Sequence, residues 1–292
     1  MGFHLKSLNP FLVHILNNHV NFSVKNPHLF LFSCILASLL FAEDGPVYHV
    51  PIHGTIDMGL PHYIKRVVDE AEANNASAII FDIDTFGGRV DAATQIKDII
   101  LDSKVTTIAF INKRAISAGA LISLSCDSIF MTPGASIGAA TAVDLQGKKA
   151  SEKVISYMRE EMASTAEANN RSRDIATAMV DEELSIDFLL NIQGDTLTAK
   201  NVDGFAEGKL ITLSTHLAVQ LGIAGGEFGS IEEVLKYLEL EDAEQKDMEE
   251  SWSEKLVRFL TNPVVAPLFM SLGMLGLFME IKSPGFGVPG TV

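Results

Sequence analysis

Apolar and polar positions alternate along the chain as strand, helix, strand, helix between two long apolar segments. Val47–Ile52 predicts a short strand. Over Gly59–Asn74, Ile64, Val67, Val68 and Ala71 recur at helical spacing and predict a helix with one buried face. The run Ala78–Asp84 predicts a strand buried on both sides, Val90–Asp102 a second helix, Val105–Ile111 a third strand, Ser117–Cys126 a third helix and Ser128–Met131 a fourth strand. This order predicts an α/β domain built on a parallel sheet with crossover helices. Two acidic and polar stretches, Ser151–Asp187 and Glu239–Glu254, predict a charged helical arm and a solvated linker.

The flanking apolar segments differ in length. Leu29–Ala42 runs without a charge between Lys25 and Glu43. That suits the h-region of a signal peptide and falls short of the roughly 20 residues a spanning helix needs. Residues 1–42 are therefore expected to be a signal peptide or an N-terminal anchor. Pro263–Ile281, with Trp252 upstream and Lys282 downstream, is long enough for one membrane span, and Gly273 and Gly276 would let another helix approach closely. The expected organisation is the α/β domain over 43–240, an acidic linker over 241–262 and a transmembrane segment over 263–292. The loop-like run Pro284–Val292 reads as the start of a longer membrane domain.

Charge narrows the function. With 22 Lys+Arg against 37 Asp+Glu the formal net charge is −15, which repels phosphate backbones, so nucleic acid is not an expected partner. Lys6 and Lys25 are the charges ahead of Ala42, so the remainder is more acidic still. Cys126 is the lone cysteine after the leader, and His49, His53, His62 and His216 show no metal-ligand spacing. No metal and no cofactor are expected.

Chemistry in α/β sheets gathers at the carboxyl ends of the strands. The strand ending at Asp84 runs into Thr85-Phe86-Gly87-Gly88, where two glycines permit a sharp turn with outward N–H groups. After Ile111 comes Asn112-Lys-Arg-Ala-Ile-Ser117-Ala118-Gly119, which places a serine at the first turn of a small-residue helix. Free N–H groups and the positive helix end there favour an alkoxide-like nucleophile and the oxyanion it generates. Either motif alone also fits a plain helix cap or a plain turn. No histidine forms a readable Ser/His/Asp arrangement, which leaves lysine as the base, neutral when burial lowers its pKa. Lys148, Lys149 and Lys153 follow Thr132-Pro-Gly-Ala-Ser-Ile137-Gly138, a small-residue segment suited to lining a cleft.

Asp84-Thr-Phe-Gly-Gly-Arg-Val-Asp91, Ala115-Ile-Ser-Ala-Gly119 and Thr132-Pro-Gly-Ala-Ser-Ile-Gly138 together resemble the membrane-bound serine proteases of the NfeD family, within the ClpP-like peptidases that include signal peptide peptidase A. The resemblance extends to Tyr48–Asp57, Gly208–Leu213 and Ala218–Gly222, and so spans about Tyr48 to Leu240. It implies a ClpP/crotonase-like fold with a helical arm, and a Ser-Lys endopeptidase. Ser117 would be the nucleophile, Lys153 the base, the N–H groups of Gly88 and Ala118 the oxyanion hole, and Gly87, Gly119, Ile137 and Gly138 the substrate-binding surface. It further implies hydrophobic substrate segments, stomatin- or flotillin-like membrane partners, a homo-oligomer with arm residues Val154, Ile155, Tyr157 and Met158 as apolar anchors, and a protease domain on the extracytoplasmic side of a membrane.

Two positions depart from the family pattern. Phe86 stands where proline is usual, and Ala163 occupies the position that ungapped matching gives to the lysine of the archaeal, stomatin-directed members. Two other functions compete with the protease: an inactive scaffold binding a membrane partner through the same cleft, and an acyl-CoA enzyme of crotonase type, which export and an acidic surface disfavour.

Overall fold

The computed structural model describes residues 45–143, 147–184, 186–198, 208–262 and 265–282. The expected export segment 1–42 and the run beyond Lys282 lie outside them.

A sheet in the order β10-β1-β2-β3-β4-β9 forms the centre, from β1 (Val47–Ile56), β2 (Ala78–Gly88), β3 (Thr107–Ile116), β4 (Ser128–Met131), β9 (Gly226–Glu227) and β10 (Gln245–Asp247). All of these pairs are parallel. Between the strands run α1 (Leu60–Ala73), α2 (Val90–Leu101) and α3 (Ala118–Ser125), as a parallel sheet requires. The two faces are unequal. Tyr48, Val50, Ile52, Phe81, Ile83, Ala109 and Ile111 pack into the larger core with α1–α3, which supply Ile64, Val67, Ile96 and Leu121. On the other face Val47, Ala78, Ile80, Ile108, Phe110 and Phe130 meet Val234 and Leu235 of α7 (Ile231–Tyr237). The unbroken apolar run of β2 follows from burial on both sides.

The strands outrun their sequence signal. Registers shift between His53 and Thr55 in the β1–β2 pair and between Ile83 and Thr85 in the β2–β3 pair. Beyond these irregularities the chains continue as a second level of sheet. There β3 leaves β4 and pairs with β5 (Ser136–Gly138), and β5 pairs antiparallel with β8 (Thr212–Ser214). Thr85-Phe86-Gly87-Gly88 is thus the end of β2 rather than a turn after it, and β3 runs on to Ile116.

The helical arm is α4 (Glu152–Ala168), followed after a break by α5 (Arg173–Ala178). Ile155, Met158, Met162 and Ala166 face the core, and Lys97 of α2 holds Glu161 at 2.9 Å. Elsewhere β6 (Phe188–Leu190) and β7 (Thr196–Thr198) form a separate hairpin, and α6 (Thr215–Gln220) follows β8.

The expected solvated linker 241–262 is instead built into the fold. β10 extends the sheet at β1, and α8 (Trp252–Thr261) starts with a Ser251/Glu254 capping box and is bound by Arg66 and Asp57. Its acidic residues read as a solvated face because their basic partners are distant in sequence. α9 (Val265–Lys282) follows, apolar on every side and with no buried residue, at the place expected for a membrane span.

Candidate active site

Thr85 starts the site. The residue is 1% exposed, and its hydroxyl donates to the Gly54 carbonyl and accepts the Gly87 N–H at 2.9 Å, which fixes the tail of β2. Gly87 then adopts φ +102°, and a Cβ there would lie 2.6 Å from Ser117 Cβ and 3.1 Å from its Oγ. Only glycine allows this approach. At Gly88 a Cβ would stand 2.1 Å from the Ile56 carbonyl oxygen, and at Gly119 2.5 Å from Thr85 Cγ2, so the β2 tail is pressed between β1 and α3.

Ser117 joins β3 to α3 with φ 57° and ψ −118°, a region costly for a residue with a Cβ. Its N–H donates to the Gly138 carbonyl at 3.0 Å, and its own carbonyl accepts from Ala120 at 2.9 Å. The hydroxyl caps nothing and makes no hydrogen bond to a described residue. A plain helix cap is therefore excluded: a strained residue holds an unengaged Oγ at a strand-to-helix junction. Ala118 opens α3, where the first-turn N–H groups lack helical partners.

Gly138 (φ +136°) holds Ser117 from the far side, and a Cβ there would meet the Ile211 carbonyl oxygen at 2.4 Å. Ile137 does not line the surface. Its side chain is fully buried, and both edges of β5 are taken by β3 and β8. Phe86 is 73% exposed beside the site, with the Arg114 guanidinium 4.5 Å from its ring centroid and Asp84 3.3 Å from Arg114 Nε. Immediately beyond Gly88 a groove of about 470 Å³ opens between α2 and α4, lined by Arg89, Val90, Asp91, Thr94, Gln95 and Tyr157.

The lysines are not at the serine. Lys153 is exposed on the first turn of α4, out of hydrogen-bonding reach of the Ser117 hydroxyl and without an ion pair among the described residues. Lys149 binds Glu182 at 3.0 Å, Lys148 is exposed, and Ala163 is buried.

A second polar cluster escaped the sequence reading. Asp82, 7% exposed, accepts from His53 Nε2 at 3.0 Å and lies 3.8 Å from His49 Nε2, while His49 Nδ1 meets Asp247 of β10 at 2.9 Å. The Asp82 carboxylate raises the His49 pKa against the opposing effect of burial, and Asp247 adds to it. Burial works against ionisation of Asp82, but His49 and His53 outweigh it and hold the carboxyl below its usual range. The signal was present: residues 49 and 53 share one face of a strand. Asp82 was hidden in an apolar run.

The parallel sheet, its flanking helices and the strained serine beside a glycine strand define an α/β protein with a candidate site at the carboxyl ends of its strands. A family model described as the N-terminal domain of NfeD1b matches residues 46–248, and the chain belongs to the NfeD family, as its motifs indicated. Membrane protein NfeD1b of Bacillus subtilis is 38% identical over 250 residues, 86% of this chain and 54% of that protein. Membrane-bound protease PH1510 of Pyrococcus horikoshii is 29% identical over 276 residues, 90% of this chain and 58% of that protein. The chain thus spans little more than half the length of these relatives. Among solved structures, a variant of the 1510-N membrane-bound stomatin-specific protease in complex with a substrate peptide is 25% identical, with a TM-score of 0.60, over 75% of this chain and 99% of that one.

Proposed function

We propose that this chain is the protease part of a membrane-tethered serine endopeptidase that cleaves hydrophobic segments of a stomatin- or flotillin-like membrane protein. The observation that carries the reading is Ser117: a strained, cap-free hydroxyl packed against Gly87 at the mouth of the sheet. In this reading Ser117 Oγ attacks the scissile carbonyl carbon, and its proton passes to the base and then to the leaving amine. Water hydrolyses the acyl-enzyme by the reverse transfer. The N–H groups of Gly88 and Ala118 bind the oxyanion. The substrate lies along the groove that begins at Arg89. The name of the solved relative supports a stomatin-like target, and that relative exists as a serine-to-alanine variant and as a lysine-to-alanine variant.

Lys153 serves as base once α4 shifts or a second copy assembles against it, with the homo-oligomer completing the site. α9 anchors the chain, and the domain lies on the extracytoplasmic side. The test is cleavage of a stomatin-like C-terminal peptide together with fluorophosphonate labelling. Ser117→Ala abolishes both, and Lys153→Ala abolishes turnover. A Ser117→Ala chain as active as wild type refutes the nucleophile.

The buried Ala163 and the solvent-exposed Lys153, which makes no hydrogen bond to Ser117, favour a second reading, an inactive scaffold that binds the same partner. Stoichiometric labelling of Ser117 rejects it.

A further inference from the structure

A helix on a water-facing domain turns its apolar stripe toward the core. α8 does the reverse. Trp252, Leu256, Phe259 and Leu260, spaced i, i+4, i+7 and i+8, form one stripe that faces away from the protein, with Trp252 78% and Phe259 53% exposed. The opposite, charged side is what docks. Glu254 accepts from Arg66 Nε at 2.8 Å and Nη2 at 3.0 Å. Arg258 donates from Nε to Asp57 at 2.8 Å and from Nη2 to the Thr55 carbonyl at 3.1 Å, and it also pairs with Glu250. Gly59 makes room for this contact: a Cβ there would lie 2.5 Å from Arg258 Cγ and 3.2 Å from its backbone nitrogen.

The outward stripe meets the start of α9. Three residues separate Thr261 from Val265, and Phe259 meets Phe269 edge-on at 6.2 Å between centroids. A stripe continuous with a segment suited to hydrocarbon, with a tryptophan at its far end and polar contacts toward the domain, matches a helix lying in the plane of a bilayer interface. We propose that α8 rests in the headgroup region of a phospholipid bilayer on its Trp252-Leu256-Phe259-Leu260 face. Through Arg258 it clamps that surface to the end of β1, where Thr55 and Ile56 pair with Gly87 and Gly88. The candidate site is then held at a fixed height above the membrane, and peptide bonds close to the bilayer surface are the ones it reaches. The inference rests on the reading of α9 as a membrane anchor.

Trp252 is the one tryptophan of the sequence, so its fluorescence reports on α8 alone. The full chain is reconstituted in phosphatidylcholine vesicles, floated on a density gradient and quenched with acrylamide from water or with brominated lipids. The expected result is flotation, a blue-shifted emission, loss of most acrylamide quenching, and stronger quenching by bromines near the glycerol than near the chain ends. A Leu256→Asp/Phe259→Asp chain still floats and regains aqueous emission and quenching. A floating wild-type chain with Trp252 open to acrylamide and untouched by bromolipids overturns this inference alone. Shielding without bromolipid quenching overturns it in favour of a protein cover, such as a second copy. A chain that does not float overturns the anchor reading as well.

Discussion

Gly87→Ala isolates the contact on which the proposed chemistry depends. The added methyl meets two obstacles: a backbone at φ +102°, and Ser117, whose Cβ would be 2.6 Å away with the Ile116 carbonyl oxygen at 3.0 Å. The backbone alone costs about 1–2 kcal/mol. Carbon atoms at van der Waals contact stand about 3.5–4.0 Å apart, so relief of the clash requires Ser117 or the β2 tail to move by roughly 1 Å. A displacement of that size at a reacting group is worth on the order of 10²-fold in rate. Fluorophosphonate labelling of Ser117 should slow by about that factor, while thermal unfolding shifts by a few degrees. Gly134→Ala is the control, since Gly134 also has a positive φ, +80°, and nothing within 4 Å of an added Cβ. It should lose similar stability and keep its labelling rate. If Gly87→Ala labels as fast as Gly134→Ala, proximity of the β2 tail does not set the reactivity of Ser117.

Arg258→Ala leaves Asp57, whose side chain is 11% exposed, with the Gly59 N–H at 2.9 Å as its remaining partner. Breaking a buried pair costs about 3–5 kcal/mol, reduced to about 2–3 kcal/mol here because Arg258 is partly open to solvent. Tm should fall by about 4–12 °C; a double-mutant cycle with Asp57→Asn that returns no coupling rules out the clamp. The His49–Asp82–Asp247 cluster gives a pH signature. A raised histidine pKa contributes stability that is complete below its ordinary value of about 6.5 and is lost as pH rises through the higher folded value. The lowered Asp82 pKa contributes stability above the ordinary carboxyl range that is lost as pH falls below it. Tm should therefore be highest between about pH 4 and 6.5, and His49→Gln should remove the decline on the alkaline side; an unchanged decline would assign it to other groups.

Pattern alone carries the order of elements from Val47 to Met131, because burial on one or two faces writes a period of 3.6 or an unbroken apolar run directly into the residues. It also marked Ser117 and Gly87-Gly88, because strained turns and close approaches leave few residue choices. It could not show that β2 and β3 extend past their apolar runs, since those extensions are held by irregular registers and by backbone contacts at Ile56 and Gly138. Nor could it show that the acidic stretch after Leu240 is structural: Arg66 and Asp57 lie nearly 200 residues from the groups they hold, and a charge reads as solvated until its partner is known. The family resemblance points to Lys153 as the base, yet which face of α4 meets the core is decided by Ile155, Met158 and Met162, which turn that lysine to solvent. Local pattern thus fixes which residues prefer helix, strand or sharp turn. Packing between distant segments decides which side chains meet, and here it set serine against glycine and left the lysine outside.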